Sequence, residues 1–131
     1  LLAEAGISHS LDWANDDLPY LFHTSQQSVV SVPLSHELHD VNSIWQLHHT
    51  APEWADQVSD SVTILANEVM RHGNRTLGLT LTPWLLGQPH RVPSLRRALA
   101  AVTDTGSARW VTAAAAAGAL GRSQPSRSQP N

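Results

Sequence analysis

The chain has 131 residues, 41% of them apolar, a formal net charge of -3 and eight histidines, which suits one domain with a real core and is too short for two of ordinary size. Its arginines are scattered and lysine is absent, so no basic stripe points to nucleic acid or an anionic membrane. There is no cysteine for a disulfide or thiolate metal site, and no apolar run approaches the roughly 20 residues that span a bilayer; this composition fits a soluble, cytoplasmic enzyme.

The opening Leu1 to Gly6 reads as the last turn of a helix closed by glycine. Because a chain seldom starts inside a helix, the sequence reads as a piece of a longer protein. Ile7 to Asp12 is a short strand candidate, followed by a polar loop through Asn15, Asp16, Asp17 and Pro19. Ser28 to Val32 is a second strand ended by Pro33. An irregular, histidine-rich region then runs from Ser35 to Thr50.

Pro52 sits at the first turn of a helix that continues to about His72. Ala51, Trp54, Ala55, Val58, Val62, Leu65, Ala66 and Val69 recur at spacings of three and four, as one apolar face requires. Gly73 closes it. Leu77 to Leu81 is a third strand candidate, Pro93 to Val102 a second helix and Ala108 to Thr112 a fourth strand. Ala113 to Leu120 is a weak helix without a polar face, and Gly121 to Asn131 has the composition of a disordered tail. Residues 1–112 thus form the folded part and 113–131 an appendage. The order of elements predicts an α/β fold with a largely parallel sheet.

Three stretches carry chemistry. Asp12 to Tyr20 follows a strand and gathers Asp12, Asp16 and Asp17 with Trp13 and Tyr20. Turn chemistry explains part of this; functionally, Trp13 walls a cleft while Asp12 or Asp16 holds a polar substrate. Pro33 to Asp40 brings His36 and His39 close to Glu37 and Asp40, a spacing that also arises by chance in a histidine-rich chain. Leu79 to Arg91 is an alternating strand running into Pro83, Trp84 and a polar loop. There Gln88 offers paired donor and acceptor groups and Arg91 a planar fork, although Arg91 also suits donation to nearby carbonyls. Trp45, Trp54 and Trp110 are assigned to packing.

The run Pro83-Trp84-Leu85-Leu86-Gly87-Gln88-Pro89-His90-Arg91 closely resembles the late strand-and-loop motif of the polysaccharide deacetylase superfamily, in its allantoinase-like branch. Asp12-Trp13 with Asn15-Asp16, and Pro33, Ser35, Glu37 and Asp40, are similar to two further motifs of that branch. His9, Leu34 and His39 depart from them, standing where the family has Asp, an aromatic and an amide. The resemblance implies the C-terminal part of an irregular seven-stranded β/α barrel, an incomplete one whose exposed sheet edges invite self-association. It implies hydrolysis of a non-peptide C–N bond, in an N-acetylated sugar or a cyclic ureide such as allantoin. Asp12, Trp13, Asp16, Glu37, Asp40, Trp84, Gln88, His90 and Arg91 are the substrate-binding residues on this reading.

At the position of the family's general-acid histidine stands Thr82, whose hydroxyl does not titrate near neutrality. The family's Asp-Asp base motif and His-x-x-x-His metal ligands are also absent: the histidines fall at 9, 23, 36, 39, 48, 49, 72 and 90. The resemblance therefore implies a chain without its own cofactor, inactive alone, with a divalent metal such as zinc open to the longer family member. Two alternatives stand beside it. One is a non-catalytic relative that keeps a sugar- or ureide-binding cleft; the other is a metal-binding module centred on His36 and His39.

Overall fold

The computed structural model describes residues 3–13, 15–25 and 27–123, the last three as backbone alone. They fall into two compact units. One joins the residues up to Pro33 with those from Val111 onward; the other is Leu34–Trp110.

In the first unit, β1 (His9–Ser10), β2 (Tyr20–His23) and β3 (Ser28–Ser31) form a three-stranded sheet in the order β1-β3-β2. β3 runs parallel to β1, with His9 opposite Val30, and antiparallel to β2, with Leu21 opposite Val30. The sheet is therefore mixed, which corrects the expectation of largely parallel pairing. β2 was hidden in the sequence behind the turn signals that precede it, where the Asn15 side-chain amide donates to the Tyr20 hydroxyl at 2.9 Å. Hairpin geometry then makes antiparallel pairing the natural outcome. Val30 and Val32 pack with Ala117, flanked by Leu21, Ala116 and Leu120. Ala117 lies on α4 (Ala113–Ser123), which begins where the weak helix was expected and continues through residues 121–123. The rest of the expected disordered tail lies outside the described residues. Near the start of the chain, Gly6 adopts φ 77° and its N–H reaches the Ala3 carbonyl at 3.1 Å, so residues 3–6 form a turn where the last turn of a helix was expected; Leu1 and Leu2 lie outside the described residues.

The second unit is built on α1 (Ala51–His72), a 22-residue helix. Its start is a capping box: the Thr50 hydroxyl accepts from the Glu53 N–H, and the Glu53 carboxylate accepts from the Thr50 N–H at 2.7 Å. Its end is Gly73, at φ 80°, where a side chain would be strained. The buried stripe Ala51, Trp54, Ala55, Val58 and Val62 matches the expected apolar face. It packs with Ala98 and Val102 of α3 (Val92–Asp104), together with Leu85 and Leu86 of the short α2 (Pro83–Leu86). Arg97 ties α3 to the start of α1 through the Pro52 carbonyl at 2.6 Å and the Asp56 carboxylate at 3.0 Å.

Two expected strands are corrected. Neither residues 77–81 nor 108–112 form a strand; the described ladder contains β1, β2 and β3. In the first segment, the Gly78 carbonyl accepts from the Ser35 N–H at 3.0 Å, and Leu77 and Leu79 pack against the core of the second unit. Alternating apolar residues make a strand only when a partner offers its backbone. The histidine-rich region, expected to be irregular, contains a π-helix over Val41–Gln46, with Leu47 N–H closing back to the Asn42 carbonyl at 2.9 Å. No helix among the described residues is long and apolar enough to cross a membrane.

Candidate functional site

Asp40 and Thr82 meet in the second unit. Asp40 is fully buried, caps the π-helix through the Val41 N–H at 2.8 Å, and receives two further donors from Thr82. The Thr82 N–H donates to Oδ2 at 2.5 Å and the Thr82 hydroxyl to Oδ1 at 2.8 Å. A carboxylate taken out of water persists only with such charge-assisted bonds. His39 Nδ1 lies 3.5 Å from Asp40 Oδ1, yet it accepts from the Val41 N–H that Asp40 also receives. A nitrogen accepting that proton carries none of its own toward the carboxylate, so the pair stands as two neighbouring acceptors.

Thr82 is in turn the N-cap position of α2, so the residues at the heads of two short helices are bonded to each other. The π-helix carries Trp45 and α2 carries Trp84. Their rings meet edge to face, with centroids 5.9 Å apart and planes at 83°. Trp45 is 62% exposed and Trp84 57%. This overturns the packing assignment of Trp45, because Ser43 and Ile44 take the buried side of the π-helix instead. Trp110, also assigned to packing, is 52% exposed because its segment joins no sheet. Trp54 fits the packing assignment, buried with its indole N–H donating to the Leu38 carbonyl at 2.9 Å.

Gln88 and Arg91 are both turned back on their own loop. The Gln88 amide donates to the Trp84 carbonyl at 3.2 Å, and the Arg91 guanidinium donates to the Leu85 carbonyl at 3.3 Å. Gly87, just ahead of Gln88, is required for space: a Cβ there would fall on the Pro83 carbonyl oxygen, to which Gly87 N–H donates at 2.9 Å. Glu37 and His90 are exposed in the same unit.

Asp12, Trp13 and Asp16 belong to the first unit. Asp12 accepts from the Ser10 hydroxyl at 2.5 Å, Asp16 from the Asp17 N–H at 2.7 Å, and Trp13 packs edge-on against Phe22 with centroids 5.0 Å apart. These are the local bonds of a turn. Among the described residues, no three His, Asp or Glu side chains gather as a metal site requires. His36 is exposed and linked to His39 through a backbone turn at 3.2 Å. The donor set does not fit a zinc centre, which needs three or four converging ligands.

The fold is shared with solved proteins. A protein of Pseudomonas aeruginosa PAO1 described as a polysaccharide deacetylase superposes with a TM-score of 0.85 at 20% identity, over 95% of this chain and 42% of its own. The Puue allantoinase gives 0.85 at 19% identity, over 95% and 42%. A Mycobacterium smegmatis protein described as a polysaccharide deacetylase gives 0.67 at 21%, over 99% and 48%. No family model matches the sequence, and neither does any curated protein. The chain therefore has the mixed α/β fold of part of these deacetylases and this allantoinase, and spans less than half the length of each.

Proposed function

We propose that this chain supplies the C-terminal, substrate-facing part of a hydrolase of non-peptide C–N bonds, and that it turns over no substrate alone. The substrate is an N-acetylated carbohydrate or a cyclic ureide such as allantoin. What supports the class is the shared fold together with the motif resemblance around Thr82. The observation that carries the inactivity is the Asp40–Thr82 bond. In the resemblance, residue 82 protonates the departing nitrogen. Here the Thr82 hydroxyl proton is donated to Asp40, and a hydroxyl does not titrate near neutrality. Loss of that acid lowers hydrolysis by roughly 10²–10⁴. The Asp-Asp base and the ligands of any zinc ion would come from sequence beyond these 131 residues.

The test is a chimera in which this chain replaces the corresponding part of the Puue allantoinase or the Pseudomonas protein. Thr82→His in the folded chimera is expected to raise hydrolysis of allantoin or of an N-acetylated oligosaccharide by roughly 10²–10⁴ over Thr82. A folded chimera that stays silent with Thr82→His overturns the reading, and so does turnover by the isolated chain. The second reading, a non-catalytic relative that retains a binding surface, is favoured by the exposure of Trp45 and Trp84 beside an acid-less Thr82.

A further inference from the structure

We propose that the outer edge of β1 is a self-association surface, on which a second copy of this chain pairs antiparallel about a two-fold axis through His9. The inference stands apart from the hydrolase reading and uses only the first unit. Among the described residues, β1 has a strand neighbour on one side alone, β3. The Ser8 and Ser10 carbonyls face that neighbour and accept from the Val30 and Val32 N–H at 3.0 and 2.9 Å. Alternate residues of a strand turn their backbone polar groups to opposite edges. His9, between the two serines and in register with Val30, therefore directs its N–H and C=O to the open edge. Proteins protect such edges with lysine, proline or a bulge. The segment Ile7-Ser8-His9-Ser10-Leu11 has neither lysine nor proline, and the whole chain contains no lysine.

The residues on either side of His9 fit a second copy of themselves. Ile7 is 40% exposed and Leu11 37%, whereas Val30 and Val32 of the inner strand are covered by Ala116 and Ala117 of α4. A two-fold axis at His9 sets the two copies of that residue opposite each other, exchanging two N–H···O=C bonds. It also sets Ile7 of one copy opposite Leu11 of the other, the cross-strand apolar pairing that stabilises a sheet. Asp12 then falls opposite Gly6 of the second copy, so no two carboxylates meet across residues 6–12. An axis at Ser8 or Ser10 is excluded, because their carbonyls are committed to β3. The shared surface is short, well under the roughly 1,200 Å² of a stable interface, so the dimer is weak, with a dissociation constant on the order of 100 μM.

The experiment is analytical ultracentrifugation of the 131-residue chain across concentrations that bracket that constant. The average mass is expected to climb from one chain toward two. His9→Pro removes an N–H from the open edge and leaves the carbonyls that bind β3 in place; it should weaken association about tenfold or more. Ile7→Lys puts a charge on the edge and should do the same. Ile64→Lys, an exposed change on α1, should leave association unaltered. Circular dichroism checks that each variant stays folded. The chain has no cysteine, so His9→Cys gives a second readout that needs no loss of affinity. Under mild oxidation it should cross-link two copies faster than Ser25→Cys, on the exposed turn between β2 and β3. A chain that stays monomeric throughout, association indifferent to both His9→Pro and Ile7→Lys, or cross-linking no faster at 9 than at 25 each overturns the inference. None of these touches the hydrolase reading, which stands or falls on the Thr82→His chimera.

Discussion

Both oxygens of the Asp40 carboxylate are occupied by chain donors, and Thr82 supplies one to each: its N–H to Oδ2 at 2.5 Å and its hydroxyl to Oδ1 at 2.8 Å, across 42 residues of sequence. The pair joins the residue that heads the π-helix to the residue that heads α2.

Breaking that bond from either side should destabilise the second unit by different amounts. Thr82→Val removes only the hydroxyl and is expected to cost about 1.5–3 kcal/mol, the range for a hydrogen bond to a charged group. Asp40→Leu also strands the Thr82 N–H and uncaps the π-helix, so its cost is larger by about 1–3 kcal/mol. Urea unfolding followed by tryptophan emission measures both. Equal costs would mean that the N–H bond contributes nothing.

Gly87→Ala drives a methyl group onto the Pro83 carbonyl and should cost about 1–3 kcal/mol, as overpacking does elsewhere. Because α2 carries Trp84, the same change should weaken the near-ultraviolet dichroism of the Trp45–Trp84 pair. An unshifted melting temperature with an intact dichroic signal would contradict the geometry.

The capping box of α1 has a pH signature. The Thr50 N–H, followed by the Thr50 hydroxyl and more weakly by His49, holds the Glu53 carboxyl below its ordinary value of 4.5, against a small opposing effect of burial. A carboxyl favoured as the anion in the folded state adds stability that is complete above its unfolded pKa and fades as pH falls through the lower folded value. The stability advantage of the native chain over Glu53→Gln should therefore be constant near neutrality and shrink once pH drops below 4.5. Paired thermal melts at several pH values check it, and an advantage that grows on acidification would reverse the sign. Thr50→Ala should cost about 1 kcal/mol at neutral pH through loss of the cap.

Trp54 holds the core of the second unit, fully buried with its N–H on the Leu38 carbonyl. Trp54→Ala is expected to cost about 3–5 kcal/mol. Trp54→Phe keeps most of the volume but leaves that carbonyl unpaired, an intermediate loss of about 1–3 kcal/mol. Denaturant midpoints of the two variants give the order directly.

Much of the local structure was legible in the residues. The early proline, apolar stripe and closing glycine of α1 all lie within the helix or next to it, so spacing alone defined the helix within a residue of its observed start; the Thr50–Glu53 capping box was added by the structure. Ser28 to Val32, the α3 region and the alanine-rich α4 were readable for the same reason. The motif around Pro83 to Arg91 also pointed to the fold later matched by the deacetylase and allantoinase structures.

What local pattern could not supply was partnership. Residues 77–81 and 108–112 were expected as strands, but a ladder needs a run of backbone pairing, and neither segment enters the described sheet. β2 shows the converse: it is short and follows a turn, and it becomes a strand because β3 offers its open edge. Asp40, Thr82, Trp45 and Trp84 make the same point for the site. The sequence by itself determined that a carboxylate, a threonine and several tryptophans were present. Only the tertiary structure decided that Asp40 and Thr82 bond across 42 residues and that Trp45 turns outward to meet Trp84. Helix caps and periodicity are short-range, whereas the choice between burying an indole and presenting it depends on which faces the rest of the chain has already covered.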